Sequence, residues 1–432
     1  MQKIFDKLTP ANYLQFFQIA RYSGLLISGI FLAKFGVPIH TIGQYEYILF
    51  LSGLVSFFWI GGIFQTLLSD YHSSSNKSKL LKNVCDTITS LGIVSATLIF
   101  LYFTFIEKQN NFDVFSRLII CSFILLNTIT FYNENYFLIK EQYKKLAMYA
   151  LGNFSLQLVA ILTVLLFSPT LNNFALALFI VALWKFGILL KNLKDEKQSF
   201  GLRIDKELIK TSSPLIAGLL ISGSADYIDS FLVIHFFGNE SYAIFKYGAK
   251  EFPLSLLLAN SLSAAMVFQI SKSETIEDGL KELKNQASRL MHFTFPATWI
   301  LLMSSNFLYP LIFNSQFLQS ASIFNIYLLL IISRSLFPQS VILSLQRRDI
   351  ILKTAYWELG INVISSVFLM SKFGVIGIAY GTVIAFLSEK LILIYHLRNL
   401  KVDFQSYTKI GHWVIYTILT IAIFFFVENF MN

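Results

Sequence analysis

Apolar stretches long enough to cross a membrane follow one another along most of the chain, and polar residues fall mainly in the gaps between them. A hydrocarbon core of roughly 30 Å needs about 20 apolar residues of helix. The pattern therefore predicts about thirteen transmembrane helices. The predicted spans are 13–33, 45–68, 85–106, 115–138, 147–167, 172–191, 211–236, 242–270, 290–313, 319–345, 353–371, 375–397 and 411–428.

Composition supports a protein that lies almost entirely in the membrane. The chain is 55% hydrophobic and only 14% charged, whereas a soluble domain carries about 25% charged residues. None of the gaps is long enough for a separate soluble domain. We therefore expect an all-α integral membrane protein, a polytopic bundle of about 12–13 helices. The opening MQKIFDKLTP indicates a short interfacial helix without a signal-peptide cleavage pattern.

Lys and Arg sit almost only in every second gap, which predicts the orientation. The opposite gaps hold only Lys34, Lys108 and Lys372. By the positive-inside rule the rich side, which includes the N-terminus, is cytoplasmic, and the C-terminus lies outside. The net charge of +9 is thereby assigned to anionic membrane lipids, and no nucleic-acid partner is expected.

A weak internal repeat suggests two halves. The pentapeptide LLISG occurs at 25–29 and again at 219–223, and each copy precedes a Phe-Gly pair. Parallel repeats of this kind are typical of transporters. The predicted organisation is a six-helix half over 1–191, a cytoplasmic linker over 192–210, a second six-helix half over 211–397, and an additional helix within 398–432.

The densest cluster of charges within the spans lies on the seventh and eighth helices. Asp226 and Asp229 are three residues apart, and Lys246 and Lys250 are four apart, so each pair shares a helix face. The turn between the two helices is predicted near Asn239, which places the pairs at similar depths. The acids are either partners in interhelical ion pairs or groups that couple transport to an ion.

Isolated charges in other spans also need a reason, because a charge at the bilayer centre costs roughly 2.5–3.5 kcal/mol or more. For Lys250 and Arg334 we expect the lining of a polar cavity. Arg21 either lines the cavity or snorkels towards water, and Glu358 either packs against a base or carries a coupling proton. Charges near the inner ends of spans are expected to snorkel, namely Lys185, Glu389 and Lys390.

Motifs for catalysis are absent from the sequence. No GxxxxGK[ST] loop occurs, and the six histidines show no metal-ligand spacing. The two cysteines, Cys85 and Cys121, stand at the starts of predicted spans, and we expect neither a disulfide nor a metal site from them. No catalytic or metal-binding residue is assigned.

Three segments resemble a known family in the order in which that family has them. SFLVIHFFGNESYAIFKYGAKEF, with Asp229, Gly238, Tyr242 and Lys250, resembles the seventh-to-eighth span junction of Wzx-type polysaccharide flippases. SKFGVIGIAYGTVIAFLSEK resembles their twelfth span, and ARYSGLLISGIFLAKFGVPIHTIGQYEYILFL resembles their first two. These flippases belong to the MOP superfamily with the MATE exporters and lipid II flippases. The apparent thirteenth span departs from their usual even number.

The resemblance implies a substrate and a location. The substrate would be undecaprenyl-diphosphate carrying a short oligosaccharide for O-antigen, capsule or exopolysaccharide, flipped across the bacterial inner membrane. Cationic residues would bind the diphosphate, namely Arg21, Lys246, Lys250 and Arg334. No cofactor is implied beyond coupling to an H⁺ or Na⁺ gradient. Other polysaccharide-assembly proteins are possible partners.

Two other functions stay open at this point. A MATE-like exporter of cationic drugs should have an acidic or aromatic cavity, and the excess of base in the spans disfavours it. A membrane-embedded polysaccharide polymerase or ligase needs a long outer loop and paired catalytic groups. The short outer gaps disfavour that enzyme class.

Overall fold

The computed structural model describes residues 10–71, 73–107, 112–250 and 253–430, and in these ranges every regular element is helical. The chain divides into two compact units, residues 1–223 and 224–432. Residues 1–9 of the predicted interfacial helix at the N-terminus lie outside the described residues, and so does Lys108. The all-helical membrane fold predicted from the apolar pattern is confirmed.

In its described residues, the first unit contains seven complete helices and the beginning of an eighth. Helix α1 packs against α6, and α5 packs against both α4 and α7. Buried aliphatic side chains such as Ile63, Leu67, Val84 and Ile88 form its core. The helices are α1 Pro10–Lys34, α2 Ile39–Leu54, α3 Phe57–Asp70, α4 Lys77–Phe105, α5 Val114–Ile139, α6 Tyr143–Phe167, α7 Leu171–Asp195 and α8 Lys206–Gly248.

The second unit begins within α8. Its helices are α9 Pro253–Lys272, α10 Ile276–Ile312, α11 Leu318–Leu328, α12 Ile331–Arg334, α13 Pro338–Ser344, α14 Arg348–Phe373, α15 Val375–Asn399, α16 Phe404–Tyr407 and α17 Ile410–Phe430. Helices α14 and α15 form a tight antiparallel hairpin through Gly374, and α17 packs against α10. A buried core that includes Met266, Leu283 and Val341 joins α9, α10 and α13.

Among the described residues, nine helices are long and apolar enough to cross a membrane, and two bent pairs bring the number to eleven. One bent pair is α2 and α3, with an angle of 45° between them. Two further helices, α9 and α14, lie at the predicted eighth and eleventh spans. The predicted thirteenth span corresponds to α17, a helix of 21 residues with a mean hydropathy of 2.1.

Breaks divide several spans that the apolar pattern predicts as continuous. The predicted span 319–345 consists of α11, α12 and α13, and Pro338 opens the last of them. Proline lacks a backbone donor and disfavours helical geometry in the residue before it, so a helix restarts there. Pro253 likewise opens α9, which separates it from α8. Apolarity alone carries no information about such breaks.

The junction predicted near Asn239 lies one residue earlier. Gly238 has φ 77° and ψ −175°, which interrupts the helical geometry of α8. This backbone conformation suits glycine because other residues meet a steric penalty there. The predicted linker 192–210 comprises the end of α7, an extended segment and the first turn of α8. The predicted domain boundaries themselves stay a prediction.

Candidate functional site

Charges of both signs meet inside the first unit. The Arg21 guanidinium on α1 lies 3.5 Å from Glu134 Oε2 on α5, and its Cζ lies 5.5 Å from the centre of the Phe131 ring. Phe131 and Glu134 are three residues apart on α5 and so share a face. The Arg21 side chain keeps 43% exposure. Arg21 is therefore a half-exposed cation held by one acid and one ring.

Lys185 on α7 turns towards the helix bundle. Its Nζ donates to Asn127 Oδ1 at 2.5 Å, and Asn127 Nδ2 donates to Ser52 Oγ at 3.0 Å. The Lys185 ammonium also lies within the electrostatic influence of Glu134 and Arg21. The sequence-based expectation that Lys185 snorkels is wrong, because the amide oxygen of Asn127 on α5 offers it a partner inside the unit.

Amide groups extend this arrangement along α5 and α7. Asn133 Nδ2 donates to the backbone oxygen of Lys185 at 2.9 Å. Asn192 Nδ2 donates to Asn133 Oδ1, also at 2.9 Å. Both asparagines are buried, and a buried amide costs free energy unless it is hydrogen-bonded. These contacts fasten the two helices along almost two turns.

A buried carboxylate occupies the second unit. Asp229 on α8 is 4% exposed. Its Oδ2 accepts hydrogen bonds from Thr382 Oγ1 on α15 and from Tyr327 OH on α11, the latter at 3.4 Å. Asn362 Nδ2 on α14 lies 3.5 Å from the same threonine hydroxyl. Four helices thus contribute to one oxygen-rich cluster around an acid.

Lys246 and Lys250 lie on either side of the end of α8. Lys246 is exposed, and the side chains described in contact with Asp229 are hydroxyls, not Lys246. The described contacts therefore do not include the predicted ion pair between Asp229 and Lys246. Lys250 follows Gly248, and its Nζ lies 5.0 Å from the centre of the Tyr247 ring.

Arg334 lies at a break between two helices of the tenth predicted span. It is the last residue of α12, and its Cζ lies 4.5 Å from the centre of the Phe386 ring on α15. A guanidinium over an aromatic face is attracted by the ring quadrupole.

The other acids named from the sequence are Asp226, Glu358 and Glu389. The Asp226 side chain lies outside the described residues, and Glu358 on α14 is half-buried. Glu389 and Lys390 are both buried and lie 2.6 Å apart. The expectation that these two neighbours snorkel is wrong, since each satisfies the other's charge within the unit.

Sequence reasoning missed the polar residues that complete both sites. Glu134 was overlooked because it falls close to the inner end of its predicted span. Asn127 and Asn133 carry no charge, but an asparagine in an otherwise apolar helix is itself a signal of an interhelical contact. The same signal is present at Asn362, whereas Thr382 and Tyr327 give none, since hydroxyls are common in membrane helices.

Comparison with known sequences gives no relative. No family model matches the chain, and no curated protein is similar enough to count as a match.

Comparison with solved structures does find similar folds. The lipid II flippase MurJ in an inward closed conformation matches with a TM-score of 0.70 and 17% identity, over 96% of this chain and 93% of that one. An inward-facing multidrug resistance MATE transporter of the MOP superfamily matches with a TM-score of 0.59 and 10% identity, over 88% and 94%. A MOP superfamily transporter from Pyrococcus furiosus, described as having a binding pocket of reverse polarity, matches with a TM-score of 0.52 and 9% identity, over 90% and 93%.

At these low identities the similarity concerns the fold. It extends over nearly the whole length of each protein, so the order of the helices is shared as well as their presence. The chain therefore has the all-helical membrane fold of MurJ and the MATE transporters of the MOP superfamily.

Proposed function

We propose that this chain is a transporter, not an enzyme, and that it flips undecaprenyl-diphosphate-linked oligosaccharide units across the bacterial inner membrane by alternating access. The observation that carries the proposal is the structural similarity to a lipid II flippase, with a TM-score of 0.70 against 0.59 and 0.52 for the other two transporters compared above. The resemblance of three sequence segments to polysaccharide flippases supports the oligosaccharide unit as cargo.

The chemistry of the spans supports an anionic headgroup. A diphosphate cannot enter hydrocarbon without a substitute for its hydration, and Arg and Lys are its natural partners. Arg21, Lys250 and Arg334 each lie against an aromatic ring. Wherever water is excluded from a transport path, the attraction between a cation and a phosphate is stronger than in water. We assign the diphosphate to Lys250 and Arg334, with Arg21 and Lys246 adding to the field.

The assignment is tested by complementation in a strain that lacks its own flippase. Lys250→Gln and Arg334→Ala should each lower surface polysaccharide at least tenfold, whereas Lys250→Arg should retain more transport because it keeps the charge. Arg334→Lys should give an amount of surface polysaccharide between those of Arg334→Ala and the native chain, since lysine keeps the charge but cannot make the bidentate contact. Lys372→Gln is the matched control, because Lys372 is exposed at the end of α14.

Protein amounts in the membrane fraction must be equal in this comparison. Full surface polysaccharide with both Lys250→Gln and Arg334→Ala would show that these residues do not bind the substrate. A reconstituted assay with defined lipid-linked sugars then measures flipping directly and separates a loss of transport from a loss of later assembly.

We assign coupling to the oxygen cluster around Asp229. A buried carboxylate beside a threonine hydroxyl and an amide can hold a proton or a sodium ion, since both choose oxygen partners. Asp229→Asn keeps the size and the acceptor oxygen but removes the charge, so transport in proteoliposomes should lose its dependence on the ion gradient. Asp349→Asn, at an exposed carboxylate paired with Arg347, is the control. A gradient dependence unchanged in Asp229→Asn would contradict the assignment.

The orientation belongs to the same proposal. With a cytoplasmic N-terminus, cysteines placed at Lys79 and at Lys284 should resist an impermeant thiol reagent in intact cells and react after permeabilisation. Reaction of either cysteine in intact cells would show that the predicted orientation is wrong.

The second candidate function is export of cationic drugs, and the observation that favours it is the similarity to MATE structures. Such an exporter should raise drug resistance when overexpressed, and replacement of Lys250 or Arg334 by neutral residues should not impair it. Resistance without any effect on surface polysaccharide would favour the exporter.

A further inference from the structure

A cationic cleft opens on the surface of the first unit, away from the residues discussed above. It has a volume of about 380 Å³. Its walls are the start of α4 and the segment after α7, which are far apart in the sequence. Its lining includes Ser78, Lys79 and Lys82 from α4 and Lys197, Gln198 and Ser199 from that segment. The charge pattern predicts that this surface is cytoplasmic.

Hydrogen bonds fasten the two walls of the cleft to each other. Gln198 Nε2 donates to Ser78 O at 2.8 Å and lies 3.1 Å from Ser78 Oγ. Further along the segment, Gly201 N donates to Asp86 Oδ1 at 2.8 Å. A Cβ at Gly201 would lie 2.5 Å from Asp86 Oδ2, so this close approach requires glycine. The segment is therefore held in place on α4, and Lys197 with it.

Asp205 makes the next attachment. Its backbone nitrogen donates to Thr87 Oγ1 at 3.1 Å, and its carboxylate accepts from Asn83 Nδ2. The other oxygen of the carboxylate caps the first turn of α8 by accepting from the backbone nitrogens of Glu207 and Leu208. The cleft is thus a fixed feature of this unit and does not depend on the second unit.

Three ammonium groups in this cleft have no acidic neighbour in its wall. Lys79 and Lys82 are three residues apart and share a helix face, and Lys197 lies across from them. Within the described residues, none of the three forms an ion pair. Like charges on one helix face are destabilising, and the positive end of the α4 dipole adds to the field. A bound anion would offset this repulsion.

The nearest acid along the chain is neutralised elsewhere. The Glu196 carboxylate accepts from Lys140 Nζ at 2.7 Å and from Tyr136 OH at 2.8 Å. Burial alone would lower the pKa of Lys140, but hydrogen bonds to Glu196 and Tyr71 raise it above the usual value. Lys140 stays charged and holds Glu196, so the positive charge of the cleft is not cancelled by its neighbour.

We propose that this cleft binds a phosphate-bearing anion. Serine hydroxyls and lysines that converge on a pocket are suited to phosphate oxygens, and no residue of the lining repels them. The proposal is independent of the substrate assigned to the transport path, because it concerns a different surface and a binding measurement.

The depth of the cleft favours the headgroup of a bilayer lipid as the source of the phosphate. The hydrocarbon is predicted to begin near residue 85. At about 1.5 Å per residue, Lys82 lies roughly 4.5 Å and Lys79 roughly 9 Å outside it. The polar layer of a bilayer leaflet is about 5–7 Å thick. An anionic lipid can therefore present its phosphate at the cleft while its acyl chains stay in the bilayer. A soluble phosphate compound is the other source of the same chemistry.

The test compares the variant Lys79→Gln/Lys82→Gln/Lys197→Gln with a matched triple variant, Lys144→Gln/Lys145→Gln/Lys210→Gln. The control removes the same charge from exposed lysines of the same unit that do not line the cleft. One arm incubates the full chain in detergent micelles that contain phosphatidylglycerol and phosphatidylcholine. Native mass spectrometry then measures the phosphatidylglycerol that the chain retains. The other arm measures the thermal shift caused by inorganic pyrophosphate in detergent.

An attraction of about 1 kcal/mol per lysine corresponds to about fivefold in affinity. The cleft triple variant should therefore bind roughly a hundredfold more weakly than the native chain, and the control much less so. Loss confined to the lipid arm supports the headgroup as ligand, and loss confined to the pyrophosphate arm supports a soluble phosphate. Equal binding by the cleft and control variants in both arms would overturn the proposal. The single variant Lys197→Gln, at an exposed position, provides the same comparison should the triple variant fail to fold.

Discussion

Two polar clusters, one in each unit, surround their charged groups differently. In the first unit, Arg21 lies against the opposite charge of Glu134, and Lys185 donates to the neutral amide of Asn127. In the second unit, the buried carboxylate of Asp229 is described in contact with neutral hydroxyls, those of Thr382 and Tyr327.

The difference separates two tasks. Charges that compensate one another hold helices together and respond little to a passing ion. A carboxylate surrounded by hydroxyl and amide groups can exchange its partner for a proton or a cation, because those groups can reorient or donate elsewhere. We therefore expect the first unit's network to contribute mainly to stability and the second unit's cluster mainly to coupling.

The largest effect should come from the hairpin that positions Thr382. Gly377 and Gly381 are four residues apart on α15, the small-xxx-small pattern of close helix packing. A Cβ at Gly381 would lie 2.6 Å from the backbone nitrogen of Ser366, and one at Gly377 would lie 2.2 Å from Leu369 O. Because backbone cannot move aside as a side chain can, Gly381→Ala should destabilise the protein by about 3 kcal/mol.

The measurement is unfolding in mixed micelles, followed by circular dichroism. Gly360→Ala on the partner helix is the control, since nothing lies within 4 Å of a Cβ there, and alanine favours a helix by up to about 1 kcal/mol. Equal stability of Gly381→Ala and the native chain would mean that the hairpin is less closely packed than described.

The second prediction removes the acid of the second unit. Asp229→Leu leaves Tyr327 OH without its described acceptor, while Thr382 can still donate to Ile378 O at 3.3 Å. A hydrogen bond to a charged group contributes about 1.5–3 kcal/mol, and Asp229→Leu should lower the unfolding free energy by about that much. Asp229→Asn should cost less than about 1 kcal/mol, because its amide oxygen still accepts. If Asp229→Asn lowered the unfolding free energy as much as Asp229→Leu, charge and not hydrogen bonding would hold the cluster.

The third prediction concerns Lys185. Asn127→Leu removes the acceptor of the Lys185 ammonium and should cost about 1 kcal/mol, since interhelical hydrogen bonds in membranes average roughly 0.6 and reach about 1.7 kcal/mol. In a Lys185→Met background the same change should cost less, because no ammonium is left without its acceptor. A cost that is identical in both backgrounds would show that Asn127 acts through Ser52 alone.

The smallest effect is expected for the pair Arg21 and Glu134. Their side chains are 43% and 24% exposed, so water screens the attraction, and a double-mutant cycle with Arg21→Gln and Glu134→Gln should give a coupling of about 0.5 kcal/mol. The coupling should fall as salt is raised from 0.05 to 0.5 M, roughly the range over which the Debye length shortens from above 10 Å to below 5 Å. A coupling above about 2 kcal/mol would mean that the pair is shielded from water in the membrane.

Much of the helix arrangement could be predicted because apolar length is a direct demand of the bilayer. The first, third to sixth and last predicted spans each correspond to a single continuous helix of the structure. The interruptions inside the second, eighth and tenth spans could not be predicted from apolarity. Pro253 and Pro338 mark two of them, but Pro296 lies within the continuous α10, so proline by itself does not decide where a span breaks.

For the candidate site, the sequence identified the charged residues but not their partners. Asp229 was singled out as an unusual acid, and the side chains proposed to meet it were lysines of the next predicted helix. The described contacts instead come from α11 and α15, about a hundred or more residues away in the chain. Helical periodicity relates residues of one helix to each other and says nothing about which distant helix lies opposite.

The sequence by itself determined that this protein is a bundle of membrane helices, because hydrocarbon admits few other structures. Only the tertiary structure decided which charges are compensated. Lys185, Glu389 and Lys390 look alike as charges near span ends, but each has its partner inside its own unit. The physical reason is that a buried charge is stabilised by groups within a few ångströms, and those distances are set by how the helices pack.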